Sequence, residues 1–293
     1  MRRIWRRTAF LAAGVAAVAG LGLSACSGPA VLNYYSDGAG LRETTGLAYG
    51  PHPRQFYDLY EPAGEIKATI LFVHGGSWYE GEPSLYPFLG RRFAQLGYRV
   101  AIPGYRLAPE VVFPDFVADA AAATAALHDR LGPDAPLFLM GHSAGAHLAS
   151  LVALDPRYLA AHDLTACATL SGFIGIAGPY DFLPLKEERY KRIFPEPIRA
   201  ETQPLAYADR PAPPALLIHG ADDVIVHAED STLLADALTK AGNDVTLRIY
   251  PDVNHIEIIG AVSPIIEGWA PTMGDITAFL DRQARLGYPG CAA

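Results

Sequence analysis

A serine hydroxyl becomes a nucleophile only when a neighbouring base takes its proton and a third group holds that base in one tautomer. The sequence offers such a serine within Gly141-His-Ser-Ala-Gly145, a G-x-S-x-G. Downstream of Ser143, acids follow one apolar run at Asp222 and Asp223, and a histidine follows the next at His255. His74, His142, His147, His219 and His227 are rivals for the base by residue type alone. The chemistry open to such a set is acyl transfer. Its tetrahedral intermediate places negative charge on the former carbonyl oxygen, and each preorganised backbone N–H aimed there contributes on the order of 3 kcal/mol. Ala144, directly after the serine, supplies one such N–H.

Those side chains must be held by particular elements. Leu137 to Met140 is apolar and short enough for a buried strand, and beyond the motif Leu148, Leu151 and Val152 fall at i, i+3 and i+4 of a helix. A G-x-S-x-G between strand and helix forms a sharp, strained turn that lifts the hydroxyl clear of the sheet. An incidental glycine-rich loop would show the same five residues, but not the strand before and the helix after. A Cβ at 141 or 145 would strike the neighbouring strand or helix, and the helix N-terminus favours developing negative charge.

The pattern repeats along the chain. Ala68 to Val73 is a continuous apolar run, as expected of a strand covered on both faces, and ends in His74-Gly-Gly-Ser-Trp78. Phe56 to Tyr60 suits an edge strand, Tyr98 to Ile102 a further strand, and Ala166 to Ile176 another. Ala215 to Ile218 is a buried strand ending in His219-Gly-Ala-Asp-Asp223, and Val245 to Tyr250 alternates as a half-exposed strand near an edge. Helices are expected over Leu85 to Leu96, from Pro114 through Leu131, over Ser231 to Ala241 and over Trp269 to Arg285. Strands alternating with helices specify an open α/β sheet, mostly parallel, with helices on both faces. Ligands collect at the carboxyl ends of such strands. The polar clusters at 74–78, 141–145, 219–223 and 251–255 all lie there.

The chain has 293 residues, about half of them apolar, and a net charge of −8. That suits one domain with a large core, and the absence of a basic run beyond the N-terminus excludes nucleic acid as a partner. Residues 1–25 read as an export signal: Arg2, Arg3, Arg6 and Arg7 precede an Ala/Gly-rich apolar stretch. Leu23-Ser-Ala-Cys26 resembles the lipobox of bacterial lipoproteins, which implies lipidation of Cys26 and a membrane anchor facing the periplasm or the cell exterior. Residues 26–50 read as tether and lead-in, and 51–293 as the domain, with a charged, proline-punctuated insertion at 182–210 lying over the sheet edge as a small cap. Cys167, in an apolar run, reads as a buried free thiol, although export leaves pairing with Cys291 open. No pair of histidines or cysteines has ligand spacing, so no metal or other cofactor is expected.

Taken together, His74-Gly-Gly-Ser-Trp78, Tyr105-Arg-Leu-Ala-Pro-Glu110, Gly141-His-Ser-Ala-Gly-Ala-His-Leu-Ala149 and His219-Gly-Ala-Asp-Asp-Val-Ile-Val226 resemble the α/β-hydrolase superfamily. Within it they are most similar to hormone-sensitive-lipase-like and arylformamidase-like esterases, over about residues 54–283. The resemblance implies Ser143 as nucleophile, Asp223 rather than Asp222 as acid, and His255 as base. It also implies an oxyanion hole from the N–H groups of Gly76 and Ser77 beside that of Ala144, with Gly75 permitting close approach. Ser77 stands where many such esterases carry a third glycine, and the H-G-G-x-W form is that of arylformamidase-like members. Tyr105, Arg106 and Glu110 are expected to brace the loop, His74 and His219 to be structural, and His142 to shape the pocket wall. Trp78 and Tyr79 are candidates for that wall or for ordinary packing.

The activity so implied is serine carboxylic-ester hydrolysis through an acyl-enzyme. Arylformamidase or related amidase activity is the alternative, and a non-catalytic binding protein of the same fold is a third. The insertion core, Lys186-Glu-Glu-Arg-Tyr-Lys-Arg192, lacks the apolar stripe of an interfacial lid, so small soluble esters are the expected substrates.

Overall fold

Apolar runs without alternation are stable as strands only if helices cover both faces of their sheet, and this sheet is so covered. The computed structural model describes residues 28–287 and Cys291. The expected signal segment and Cys26 lie outside the described residues.

Eight strands form one sheet: β1 (Arg42–Ala48), β2 (Phe56–Glu61), β3 (Ala68–Val73), β4 (Tyr98–Pro103), β5 (Leu137–His142), β6 (Gly172–Ile176), β7 (Ala215–Gly220) and β8 (Val245–Tyr250). Their order is β1-β2-β4-β3-β5-β6-β7-β8. β1 and β2 are antiparallel, as are β2 and β4, and the remaining pairs are parallel. The helices are α1 (Gly28–Tyr34), α2 (Pro87–Gln95), α3 (Asp115–Leu131), α4 (Ala144–Leu154), α5 (Pro156–Ala160), α6 (Ala166–Thr169), α7 (Glu188–Ile193), α8 (Ala228–Lys240), α9 (Glu257–Gly260) and α10 (Thr272–Leu286).

Strand alternation divides the core in two. Leu71, Val73, Leu137, Leu139 and Leu217 pack on one face with residues of α3, α4 and α8. Ile70, Phe72, Phe138, Met140, Leu216 and Ile218 pack on the other with residues of α2 and α10. Every residue of α4 is buried, so the serine-bearing turn is held on a helix enclosed on all sides.

Several expectations need correction. β2 is not an edge strand, because β1, drawn from the supposed lead-in, pairs outside it. The Asp58 carboxylate supports that pairing by accepting the Gly46 N–H at 2.9 Å. The run 166–176 is not one strand. Its first part is the short helix α6, and β6 starts at Gly172; a short apolar run does not distinguish helix from strand by period alone. Cys167 is neither free nor fully buried. It is disulfide-bonded to Cys291, 124 residues away, with the Cα atoms 5.0 Å apart. Sequence spacing alone could not disclose that pairing.

The insertion also sits elsewhere than expected. It lies over α3 and α4 at the strand ends rather than over the sheet edge. The Phe113 N–H donates to Ile193 O at 2.9 Å, and Phe194 packs against Phe113, Phe116 and Trp78. Aromatic residues spaced through the charged segment turn inward and bury it there.

Candidate active site

The turn between β5 and α4 is as tight as its glycines imply. A Cβ on Gly141 would lie 2.2 Å from Gly145 O, and one on Gly145 would lie 2.0 Å from Val73 O at the end of β3. Ser143 itself has φ 56° and ψ −124°, a conformation that side chains disfavour and that persists where its surroundings over-determine it. The result is a partly exposed Ser143 between buried neighbours His142 and Ala144.

Loops after β7 and β8 bring the other two expected residues to it. His255 Nε2 lies 2.9 Å from Ser143 Oγ, and His255 Nδ1 lies 2.6 Å from Asp223 Oδ2. A carboxylate only accepts, so Nδ1 carries a proton and Nε2 is free to take one from the serine. Asp223 is 5 % exposed, whereas Asp222 is exposed, which separates the two adjacent acids. Asp223 Oδ1 accepts the N–H groups of Ile225 and Val226, each at 2.9 Å. Burial pushes its carboxyl pKa up, but hydrogen bonds from His219, His255 and the Val226 N–H outweigh that and hold it below the usual carboxylate range.

Two further histidines support this pair. His219 Nε2 is 3.2 Å from Asp223 Oδ2 and donates to Val226 O at 3.0 Å, while its Nδ1 accepts from Ser231 Oγ at 2.7 Å. Direct contact of His219 with the acid carries no signal in the sequence beyond its place at a strand end. His142 is not the pocket wall that the sequence suggests; it is buried behind the site. Its Nε2–H donates to His255 O at 3.0 Å, and the two rings lie 4.8 Å apart. Burial, then the adjacent His255, pushes the His142 pKa down to about 3, so it braces the loop as a neutral ring.

The loop after β3 faces the serine from the other side. A Cβ on Gly75 would sit 3.0 Å from His142 O and 3.2 Å from Ser143 Cβ, and one on Gly76 would strike Glu80 O at 2.0 Å. Among the described residues, none accepts a hydrogen bond from the N–H of Gly76, Ser77 or Ala144. These three groups can therefore donate to a bound anion. Of the three residues expected to brace that loop, Tyr105 reaches it directly, whereas Arg106 and Glu110 bond elsewhere. Tyr105 Oη donates to His74 O at 2.9 Å, Arg106 grips Asp119, and Glu110 meets His52.

A cavity of about 450 Å³ opens above Ser143, walled by Trp78, Phe182, Leu185, Tyr190 and Phe194. Tyr79 does not line it. Asp230 reaches it from α8, and burial raises its carboxyl pKa to about 6. Among the described residues, no group of three His, Cys, Asp or Glu side chains is arranged to hold a metal ion. Nor is any described helix long and apolar enough to cross a membrane.

The model of the BD-FAE family matches residues 57–238. A probable isoprenylcysteine alpha-carbonyl methylesterase of Oryza sativa subsp. japonica is 30% identical over 240 residues, which cover 72% of this chain and 56% of that protein. The chain thus spans just over half the length of that relative. An acetyl-hydrolase of Streptomyces hygroscopicus is 31% identical over 210 residues, covering 67% of this chain and 70% of that one. Among solved structures, an inhibited esterase B from Lactobacillus rhamnosis superposes with a TM-score of 0.75 at 19% identity, covering 98% of both chains. That likeness establishes the α/β-hydrolase fold.

Proposed function

The chain belongs to the BD-FAE family, and from that premise we propose that it is a serine carboxylic-ester hydrolase acting through an acyl-enzyme on small soluble esters. The observation that carries the reading is the Ser143–His255–Asp223 relay, with contacts of 2.9 and 2.6 Å, opening at Ser143 onto a cavity that Ser77 and Ala144 also line. Ser143 Oγ attacks the ester carbonyl while His255 Nε2 takes its proton. Asp223 holds the tautomer and stabilises the imidazolium that forms. The N–H groups of Gly76, Ser77 and Ala144 receive the oxyanion. His255 then returns the proton to the leaving alcohol, and a water activated by the same base hydrolyses the acyl-enzyme.

The name of one relative, an acetyl-hydrolase, supports a small acyl group, and that of another, a methylesterase, supports a small leaving alcohol. Each methylene that finds apolar wall adds only about 0.8 kcal/mol, and the wall ends in the charged cap. The test is a chain-length series of aryl esters run beside N-formylkynurenine and an emulsified triglyceride. The expected kcat/KM peaks between acetyl and hexanoyl, with no rise above the solubility limit. N-formylkynurenine faster than every ester would transfer the reading to arylformamidase, and triglyceride as the best substrate would refute the argument from the cap.

The same proposal places the enzyme outside the cytosol, anchored through lipid on Cys26. The Cys167–Cys291 disulfide supports an oxidising compartment, and the lipobox-like Leu23-Ser-Ala-Cys26 supports the anchor. Several acyl chains on one cysteine give stable attachment where one would be reversible. Mass spectrometry of the membrane fraction is expected to find a mature chain starting at acylated Cys26. A soluble wild type starting elsewhere would remove the anchor from the proposal.

A further inference from the structure

The loop carrying Gly76 and Ser77 bends where side chains resist bending. Ser77 and Trp78 both have positive φ, 52° and 65°, and such backbone needs its surroundings to hold it. The Trp78 side chain provides much of that hold. Its indole Nε1–H donates to His147 Nδ1 at 3.1 Å, and its ring meets Phe194 edge-on with centroids 4.8 Å apart. An indole N–H only donates, so Nδ1 of His147 is the accepting nitrogen and Nε2 carries the proton. That Nε2–H donates to Thr202 O in the cap at 2.7 Å. The next residue, Gln203, accepts the Phe182 N–H at 2.7 Å, and Phe182 lines the cavity. A continuous chain of contacts thus runs from the cavity wall, through the cap and across α4, to the residue after Ser77.

The geometry points to His147 as a positioning residue that ties the cap to the oxyanion loop, so that the cavity wall and the Gly76 and Ser77 N–H groups are set together. This rests on the reading of Ser143 as nucleophile and of those N–H groups as oxyanion donors. His147 lies one helical turn beyond Ser143, and its own N–H donates to Ser143 O at 3.1 Å. It is fully buried, and burial pushes its pKa down to about 4. A protonated ring would have no lone pair for Trp78. The link also gives the cap a second means of selecting acyl length. An acyl group that displaces Phe182 disturbs the loop through Gln203, Thr202 and His147, and so lowers kcat more than it raises KM.

The test is a double-mutant cycle on a short aryl ester, with His147→Phe, Trp78→Phe and the double variant, each also melted. His147→Gln, which keeps an acceptor and a donor, serves as the conservative control, and Ser143→Ala runs alongside. A displaced catalytic group of about 1 Å costs up to about a hundredfold, so each single variant is expected to lose between tenfold and a hundredfold in kcat. KM is expected to stay within about threefold, the pattern of an interaction made only in the transition state. The double variant is expected to be no slower than the worse single, with His147→Gln intermediate. Losses that multiply in the double variant overturn the link through Trp78. Losses confined to KM or to melting temperature overturn the positioning role. Near-normal turnover by Ser143→Ala would remove the reading of the site itself and the inference with it.

Discussion

The turn bearing Ser143 and the cap that faces it across the cavity are held by different physics. The turn is set by backbone against backbone. Missing Cβ atoms at 141 and 145 let main chains approach to distances at which any side chain would collide, and α4 behind them is wholly buried. The cap is set by side chains. Trp78, Phe182, Tyr190 and Phe194 pack in edge-on and tilted pairs. The cap also carries exposed pairs such as Arg189–Glu187 and Lys191–Glu188, which water and salt screen. Backbone sterics admit almost no alternatives, whereas aromatic packing can be re-formed at modest cost. The reacting atoms therefore sit on the rigid side and the choice of substrate on the adaptable side.

The comparison breaks first if chemistry does not depend on the turn. Ser143→Ala is expected to lower kcat by roughly 10⁵–10⁶ with the fold intact, and a fluorophosphonate probe to label the wild type at Ser143 alone. Labelling elsewhere would move the nucleophile.

Next in size is the contrast between adjacent acids. Asp223→Asn is expected to cost on the order of 10⁴ in kcat because the wrong histidine tautomer is then favoured. Asp222→Asn, exposed and outside the relay, is expected to change kcat by less than about threefold. The opposite ranking would place the acid one residue earlier.

The cap is tested more gently. Phe182→Ala enlarges a wall of the cavity and is expected to move the acyl optimum to longer chains, by about fourfold in kcat/KM for each methylene newly buried. Ester hydrolysis as such is expected to persist. An unchanged length profile would dissociate the cap from selectivity.

The smallest effect is on stability against pH. Burial pushes the pKa of His74 to about 4, of His142 to about 3 and of His147 to about 4, against about 6.5 when unfolded. The unfolded chain binds more protons between those values, so stability is full above about pH 6.5 and is lost as pH falls toward 4. Asp230 opposes this. Its pKa is raised by burial to about 6, so its contribution grows as pH falls through 6. Asp58, whose carboxyl pKa burial also raises, acts in the same sense as Asp230, but the three histidines outweigh the two carboxyls, so melting temperature is expected to decline from pH 6.5 to 4.5, and more steeply in Asp230→Asn. A melting temperature that rises over that interval would contradict the assignment of neutral buried histidines.

Much of this site was legible without coordinates because it depends on local backbone. The G-x-S-x-G, the paired glycines after β3 and the residues trailing β7 and β8 each follow a strand, and strands that alternate with helices bring their carboxyl ends to one side of a sheet. Glycine and serine at those positions report steric necessity, which a single sequence records. What tertiary structure alone decided has the opposite character. The partnership of His219 with Asp223, of His142 with the His255 carbonyl and of His147 with Trp78 and Thr202 joins residues whose spacing follows no period. So does the disulfide between Cys167 and Cys291, and so does the position of the cap over α3 and α4. Each depends on how separate elements dock, and docking is governed by summed side-chain packing over many residues, with no short pattern in the chain to announce it.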